Sequence, residues 1–139
     1  MIKTIITITI GLLVLNIMAI CKAAGDADRE WEENIGKIKV IIKRPNEDVG
    51  HVTWISNTLE NLQKNVDGNI EVVPVANNIL MICNEDGKNL GLEKNFIMGM
   101  MLKDTVVGTV IICGQDGEEF GDVPITRRQW QSLLEMWGN

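Results

Sequence analysis

The stretch from residue 56 to residue 87 constrains the fold more than any other part of the chain. Its first half repeats apolar residues at i, i+4, i+7 and i+11, which places them along one face of a helix: Ile55, Leu59, Leu62 and Val66. Asn57 followed by Glu60 is a capping-box arrangement, so the helix is predicted to begin at Asn57. Asp67-Gly68 ends it, because glycine readily takes the left-handed conformation that follows a helix.

A β-hairpin is predicted directly after this helix. Residues 70–75 and 79–83 are rich in β-branched and other apolar side chains, and the turn Ala76-Asn77-Asn78 joins them. Two more strands are predicted at residues 37–44, which Pro45 ends, and at residues 105–113, where Gly108 marks a bulge or a close backbone approach. Residues 51–54 form a short extended lead into the helix.

The last helix is the most completely specified element. Thr126 and Gln129 form a T-x-x-Q capping box, and Gly138 closes a helix over residues 127–137. The fold class is therefore α+β: one small domain with a mixed or antiparallel sheet of about four strands and two packed helices. Seven apolar side chains are predicted to form its core: Leu59, Leu62, Val72, Ile82, Val110, Ile112 and Leu133.

The N-terminal segment has three interpretations. Residues 4–21 carry no charge and follow Lys3, which fits a short membrane anchor or a signal peptide; alternatively, Met18 is the true start. We divide the chain into a hydrophobic segment (1–24), with a helix over residues 4–19, an acidic linker (25–36) and the α/β domain (37–139). The protein is membrane-anchored or exported in the first two interpretations and cytoplasmic in the third.

Composition removes several classes of function. With 139 residues and 45% hydrophobic residues, the chain is long and apolar enough for one folded domain. A net charge of −6 argues against direct nucleic-acid binding, which needs clustered Lys and Arg. The three cysteines lack metal-ligand spacing and there is one histidine, so no zinc site, disulfide framework or cofactor is indicated.

Two acidic turns share the pattern I-C-x-x-D-G, at residues 82–87 and 112–117. They are either two ordinary hairpin ends or loops that meet at one edge of the sheet. In the second case they would form a carboxylate cluster able to bind calcium or magnesium: Glu85, Asp86, Asp116, Glu118 and Glu119. The spacing does not match an EF-hand loop. Cys83 and Cys113 end apolar strands and are expected to be buried and inert.

The segment between residues 84 and 101 supplies the candidate binding residues. We expect a ligand or a partner to contact six side chains: Asn84, Glu85, Asp86, Lys88, Asn95 and Met98. Met98, Met100 and Met101 lie close together, and clustered methionines either fill gaps in a core or form an adaptable binding surface. We expect the core role here.

An ordered series of short motifs resembles a known family. The motifs are N-T-L-E-N-L-Q (57–63), G-N-I-E-V-V (68–73), I-C-N-E-D-G-K (82–88), G-L-E-K-N (91–95) and V-G-T (107–109). From residue 37 to about residue 125 the chain resembles the bacterial family catalogued as domain of unknown function 3846, common in bacteriophages, plasmids and conjugative elements. The resemblance implies a small accessory protein of a mobile element and no assigned catalytic residues. The hydrophobic N-terminus departs from most members.

Three hypotheses for function follow. The favoured one is a non-catalytic interaction module that binds a host or element-encoded protein and modulates defence or DNA transfer. The second is a small-ligand-binding protein, which requires a pocket lined by Asn84, Asn95 and Met98. The third is a metal-dependent hydrolase, which requires the carboxylates of the acidic turns to converge in a cleft.

Overall fold

The computed structural model describes residues 36–139. The predicted hydrophobic segment and its helix, and all of the predicted linker except Gly36, lie outside the described residues. Within residues 36–139, no helix has the length and apolar character needed to cross a membrane.

Eight strands and two helices make up the described part of the chain. The strands are β1 (Lys37–Lys43), β2 (His51–Ser56), β3 (Ile70–Ala76), β4 (Ile79–Asn84), β5 (Lys94–Met98), β6 (Asp104–Val107), β7 (Val110–Asp116) and β8 (Glu119–Gly121). The helices are α1 (Leu59–Val66) and α2 (Arg127–Met136).

The central sheet is antiparallel, with the strand order β2-β1-β7-β4-β3 and β8 paired to the end of β7. Strands β5 and β6 form a separate two-stranded antiparallel sheet. The predicted α+β class is therefore confirmed, and so is the predicted hairpin of β3 and β4. Sequence analysis did not identify β5 or β8 as strands, and it treated β2 only as an extended lead into α1.

The prediction of one strand over residues 105–113 is wrong, because the chain turns at Gly108. This glycine has a φ of +73°, a left-handed conformation that interrupts an extended strand. The residues before Gly108 form β6, which belongs to the small sheet with β5. The residues after it form β7, which belongs to the central sheet. The backbone N–H of Gly108 donates to the Glu93 carbonyl at 2.8 Å, which holds the turn beside β5.

The sheet has a hydrophobic core on each face. Helix α1 covers one face, where Leu62 and Val66 pack with residues such as Val40, Ile82 and Ile111. Helix α2 and the β5–β6 sheet cover the other face. Of the predicted core, Leu62, Ile82, Val110 and Ile112 are buried, whereas three residues are only partly buried at its margin: Leu59, Val72 and Leu133.

The helix ends correct two local predictions. Thr58, not Asn57, caps α1, because its hydroxyl accepts from the Asn61 N–H at 3.2 Å. Asn57 is instead buried and donates to the Phe120 carbonyl. The left-handed residue after α1 is Asp67, with a φ of 61°, and not Gly68.

The predicted capping box of α2 is confirmed. The Gln129 N–H donates to the Thr126 hydroxyl, and the Gln129 side chain accepts from the Thr126 N–H. Both orphan N–H groups are thereby satisfied, which fixes where the helix begins.

The turn at Gly108 gives a test of the fold with an internal control. Gly108→Ala would need a left-handed alanine and would bring its Cβ to 2.8 Å from the Leu92 Cδ1 atom. We expect it to lower the free energy of unfolding by about 2–3 kcal/mol. Gly117→Ala also requires a positive φ but meets no atom within 4 Å, so it should cost only about 1 kcal/mol.

Urea denaturation of the two variants measures both values. Equal losses in the two variants would contradict the close approach of Leu92 to Gly108.

Candidate functional site

Five of the six predicted binding residues line two separate clefts. Four of them line a cleft of about 250 Å³, called the first cleft here: Asn84, Glu85, Lys88 and Met98. Asn95 lines a second cleft of about 390 Å³, and Asp86 lines neither of these two. The pocket required by the small-ligand hypothesis, lined jointly by Asn84, Asn95 and Met98, does not form in either cleft.

The first cleft lies between the β3–β4 hairpin, the loop after β4 and the β5–β6 sheet. Met81 and Cys83 form its apolar floor, and Val106 and Met98 form one wall. The Lys88 ammonium contacts the Asp104 carboxylate at 2.6 Å and ties the loop to β6. Both side chains are well exposed, so this ion pair contributes little stability.

The side chain of Asn84 forms hydrogen bonds with the backbone of neighbouring segments. It is buried, and its Nδ2 atom donates to the carbonyls of Val66 and Asp67 at the end of α1. Its Oδ1 atom accepts from the Asp86 N–H at 2.8 Å. The side chain therefore joins the end of the helix to the turn after β4.

The second cleft contains a buried lysine. The Lys43 ammonium donates to the Glu47 carbonyl at 2.7 Å and to Asn95 Oδ1, and it lies 5.6 Å from the centre of the Phe96 ring. Burial lowers the pKa of Lys43, against the attraction of Asp48 and Glu47.

Asn95 is also fully engaged. Its Nδ2 atom donates to the carbonyls of Lys43 and Gly108 at 2.9 and 2.7 Å. Asn95 thus connects the central sheet to the turn between β6 and β7, and its side chain has a structural role.

The loop between β5 and β6 exposes a run of apolar residues, residues 99–102, called the hairpin tip here. Met100 is 59% exposed, and Met101 and Leu102 are each 94% exposed. Met98 is partly buried against the core, as expected, but the expectation that Met100 and Met101 fill the core is wrong. The positive φ of Gly99 turns the chain before these side chains can return to the sheet.

The residues that flank the hairpin tip, which form its base, are held by hydrogen bonds and by core packing. Asn139 accepts from the Ile97 N–H at 2.8 Å and donates to the Ile97 carbonyl at 2.7 Å. The Lys103 ammonium donates to the Trp137 carbonyl at 3.1 Å, and the Phe96 ring packs in the core beside α2. Residues on both sides of the tip are therefore fixed to the C-terminal end of the domain.

Sequence analysis missed Leu102 and the exposure of the tip. A signal was present: an uninterrupted apolar run lies between Gly99 and the charged pair Lys103-Asp104. Such a run between a turn glycine and charges is typical of a hairpin loop, but the methionines within it favoured a core role.

The two acidic turns lie at opposite ends of the sheet. Strands β4 and β7 are antiparallel, and Ile79 pairs with Gly114 while Ile82 pairs with Ile111. Of the two alternatives, the structure therefore contradicts the one in which the turns meet at one edge and form a carboxylate cluster. No group of three or more His, Cys, Asp or Glu side chains in residues 36–139 is placed to hold a metal ion.

Cys83 and Cys113 are both buried, as expected. Burial raises the pKa of Cys113 to about 12, so its thiol stays protonated and is a poor nucleophile. His51 Nδ1 lies 3.2 Å from the Glu47 carboxylate.

Of the five carboxylates considered for a cation site, Glu119 is the one that the fold buries. It is 9% exposed, and its Oε1 atom has no hydrogen-bond partner among the described residues. Burial, and then the nearby charge of Asp116, raise the pKa of Glu119.

A family model, domain of unknown function (DUF3846), matches residues 38–138. The chain belongs to this family. The match extends through α2, beyond about residue 125, where the resemblance in the sequence motifs ends. The core between α2 and the central sheet of this DUF3846 domain therefore also lies within the matched residues. No curated protein and no solved structure matches the chain.

The structural role of Asn84 in the DUF3846 domain can be separated from a ligand-binding role. Asn84→Ala leaves the carbonyls of Val66 and Asp67 without their donor, so we expect the free energy of unfolding to fall by about 2 kcal/mol. Asn89→Ala changes an exposed residue of the same cleft and should alter stability by less than about 0.5 kcal/mol. Thermal and urea unfolding of both variants would show equal stabilities if Asn84 served only a ligand.

The pH dependence of stability gives a test for Glu119. Because its pKa is higher in the folded state than the usual 4.5, its ionised form opposes folding above that raised pKa and has no effect well below pH 4.5. Glu119→Gln should therefore raise the free energy of unfolding at pH 7 and give no gain near pH 4. Glu118→Gln, at an exposed neighbouring position, is the control. The same gain at both pH values would contradict this explanation.

Proposed function

We propose that this DUF3846 domain is a non-catalytic protein-binding module and that the hairpin tip enters an apolar pocket of its partner. The exposure of Met101 and Leu102, each 94%, carries the proposal. Adjacent exposed apolar side chains on a soluble domain are typical of an interaction surface.

The chemistry of the tip suits protein recognition. Methionine side chains are unbranched and polarizable, so they adapt to the shape of an apolar pocket. The base of the tip is fixed through Asn139 and Lys103, so little backbone order has to be gained on binding. A rigid base with adaptable side chains lowers the entropic cost of association.

A protein partner is favoured over a membrane surface by charge. The chain carries a net charge of −6, which an anionic bilayer repels. The ammonium group of Lys103, directly beside the tip, already donates to the Trp137 carbonyl. In the mobile-element setting that the family resemblance implies, the partner would be a host or element-encoded protein whose activity in defence or DNA transfer is modulated.

A small-ligand-binding function is the second candidate, favoured by the first cleft. Four of the six predicted binding residues line it, and Lys88 and Asp104 supply charges at its side. We do not propose the third hypothesis, a metal-dependent hydrolase, because the carboxylates on which it relies lie at opposite ends of the sheet.

Photo-crosslinking through methionine tests the proposed interface. Replacing the methionines of the full chain with a diazirine analogue provides a matched pair, since Met100 on the tip and Met136 on α2 are both 59% exposed. We expect irradiation in native host cells to crosslink a protein to the peptide that contains Met100 and Met101, and not to Met136. Equal crosslinking at Met136, or crosslinking of the tip to lipid alone, would overturn the proposal.

Binding of the purified crosslinked protein gives the quantitative test. The triple variant Met100→Ser, Met101→Ser, Leu102→Ser should bind at least about 30-fold more weakly, because it removes the apolar anchors. Met136→Ser should bind like the wild type. Both variants change exposed side chains, so their unfolding midpoints should match that of the wild type. Undiminished affinity in the triple variant would contradict the proposal.

A further inference from the structure

The central sheet has two edge strands, and they differ in how well they are protected against pairing with a further strand. Strand β3, at one edge, contains Pro74, which cannot donate a hydrogen bond, and its register shifts between Pro74 and Ala76. Strand β2, at the other edge, pairs regularly with β1 over its whole length. Within the described residues, the outer side of β2 has no neighbouring strand.

Strand β2 exposes apolar side chains in an alternating pattern. Val52 is 40% exposed and Trp54 is 43% exposed, and their spacing places both on the same face of the sheet. The strand contains no Lys, Arg, Asp or Glu, the residues that usually discourage pairing at an edge. Among residues 36–139, β2 is therefore an open edge without Lys, Arg, Asp or Glu.

We propose that β2 pairs in antiparallel fashion with β2 of a second copy of this chain, around a two-fold axis at Thr53. In this register Val52 of each copy lies opposite Trp54 of the other, because residues symmetric about Thr53 face one another. The pairing joins the two central sheets into one and brings together two aromatic and two β-branched side chains. Cross-strand pairs of this kind stabilise antiparallel sheets.

A two-fold contact requires a surface that is complementary to itself. The β2 edge meets this requirement, because the same strand supplies both partners of the apolar pair, Val52 and Trp54. A register centred on Trp54 would place Val52 opposite Ser56 and lose one apolar pair. The register centred on Thr53 uses both exposed side chains and opposes no like charges, since β2 carries none. The hairpin tip lies on a different sheet, so dimerisation through β2 is independent of the proposed protein-binding function.

Charge pairs across the two-fold axis test both the dimer and its register. The double variant Val52→Lys/Trp54→Lys places lysines opposite one another and should weaken dimerisation at least about 30-fold. The double variant Val52→Lys/Trp54→Glu places opposite charges across the axis and should dimerise at least about 10-fold more tightly than the double-lysine variant. Both sites are exposed in the monomer, so both variants should fold.

Sedimentation equilibrium of the full chain in a density-matched detergent, from about 1 to 300 µM, measures the monomer–dimer constants. We expect a reversible wild-type dimer and the stated order among the variants, with circular dichroism spectra like that of the wild type. A wild-type monomer across this range would overturn the proposal. Equal dimerisation of the wild type and both variants would also overturn it, because the contact would then lie elsewhere.

Discussion

The packing of Phe96 against Trp130 and Trp137 is the interaction on which the second half of the domain depends. The Phe96 ring meets Trp130 edge-on at 5.6 Å and stacks on Trp137 at 6.0 Å. Phe96 belongs to the small β5–β6 sheet, and both tryptophans belong to the C-terminal helical segment. Leu134 of α2 and Val106 of β6 are buried in the same core as these rings, so the aromatic contacts join two elements that also pack on the central sheet. The Trp130 indole N–H donates to the Val49 carbonyl at 2.9 Å, which leaves no unpaired polar group at the centre of the cluster.

The sequence predicts best those parts of the fold that depend on interactions between residues close together in the chain. The capping box of Thr126 and the turn between β3 and β4 follow from side chains within a few residues of one another. The departure of β6 from the central sheet does not, because it depends on contacts between distant residues. Asn95 binds the Gly108 carbonyl from another strand, and nothing in the run around Gly108 reveals that partner. Strand β5 was missed for a related reason: one face packs on tryptophans more than thirty positions away in the chain.

The prediction of six binding residues remains a prediction, but the structure shows the hydrogen bonds of two of them, Asn84 and Asn95. Asn84 and Asn95 have the polar side chains that ligand sites use. In this fold, both side chains donate hydrogen bonds to backbone carbonyls near the ends of a helix and of strands. Buried amides bonded to backbone are common where irregular chain segments meet, and sequence alone does not distinguish them from ligand contacts. The acidic turns show how topology decides such questions, since the same I-C-x-x-D-G pattern on antiparallel strands sends its carboxylates to opposite ends of the sheet.

The separation of the hairpin tip from the two cores has a consequence for how such a domain can evolve. Met101 and Leu102 make no contribution to core packing, so substitutions there leave the folding free energy almost untouched. The residues that hold the base of the tip, such as Asn139 and Phe96, are under a different constraint because they stabilise the domain. Under the proposed function, recognition could therefore diversify at a few loop positions while the scaffold stays fixed. A change of specificity at the tip would then not require a compensating stabilising mutation elsewhere in the domain.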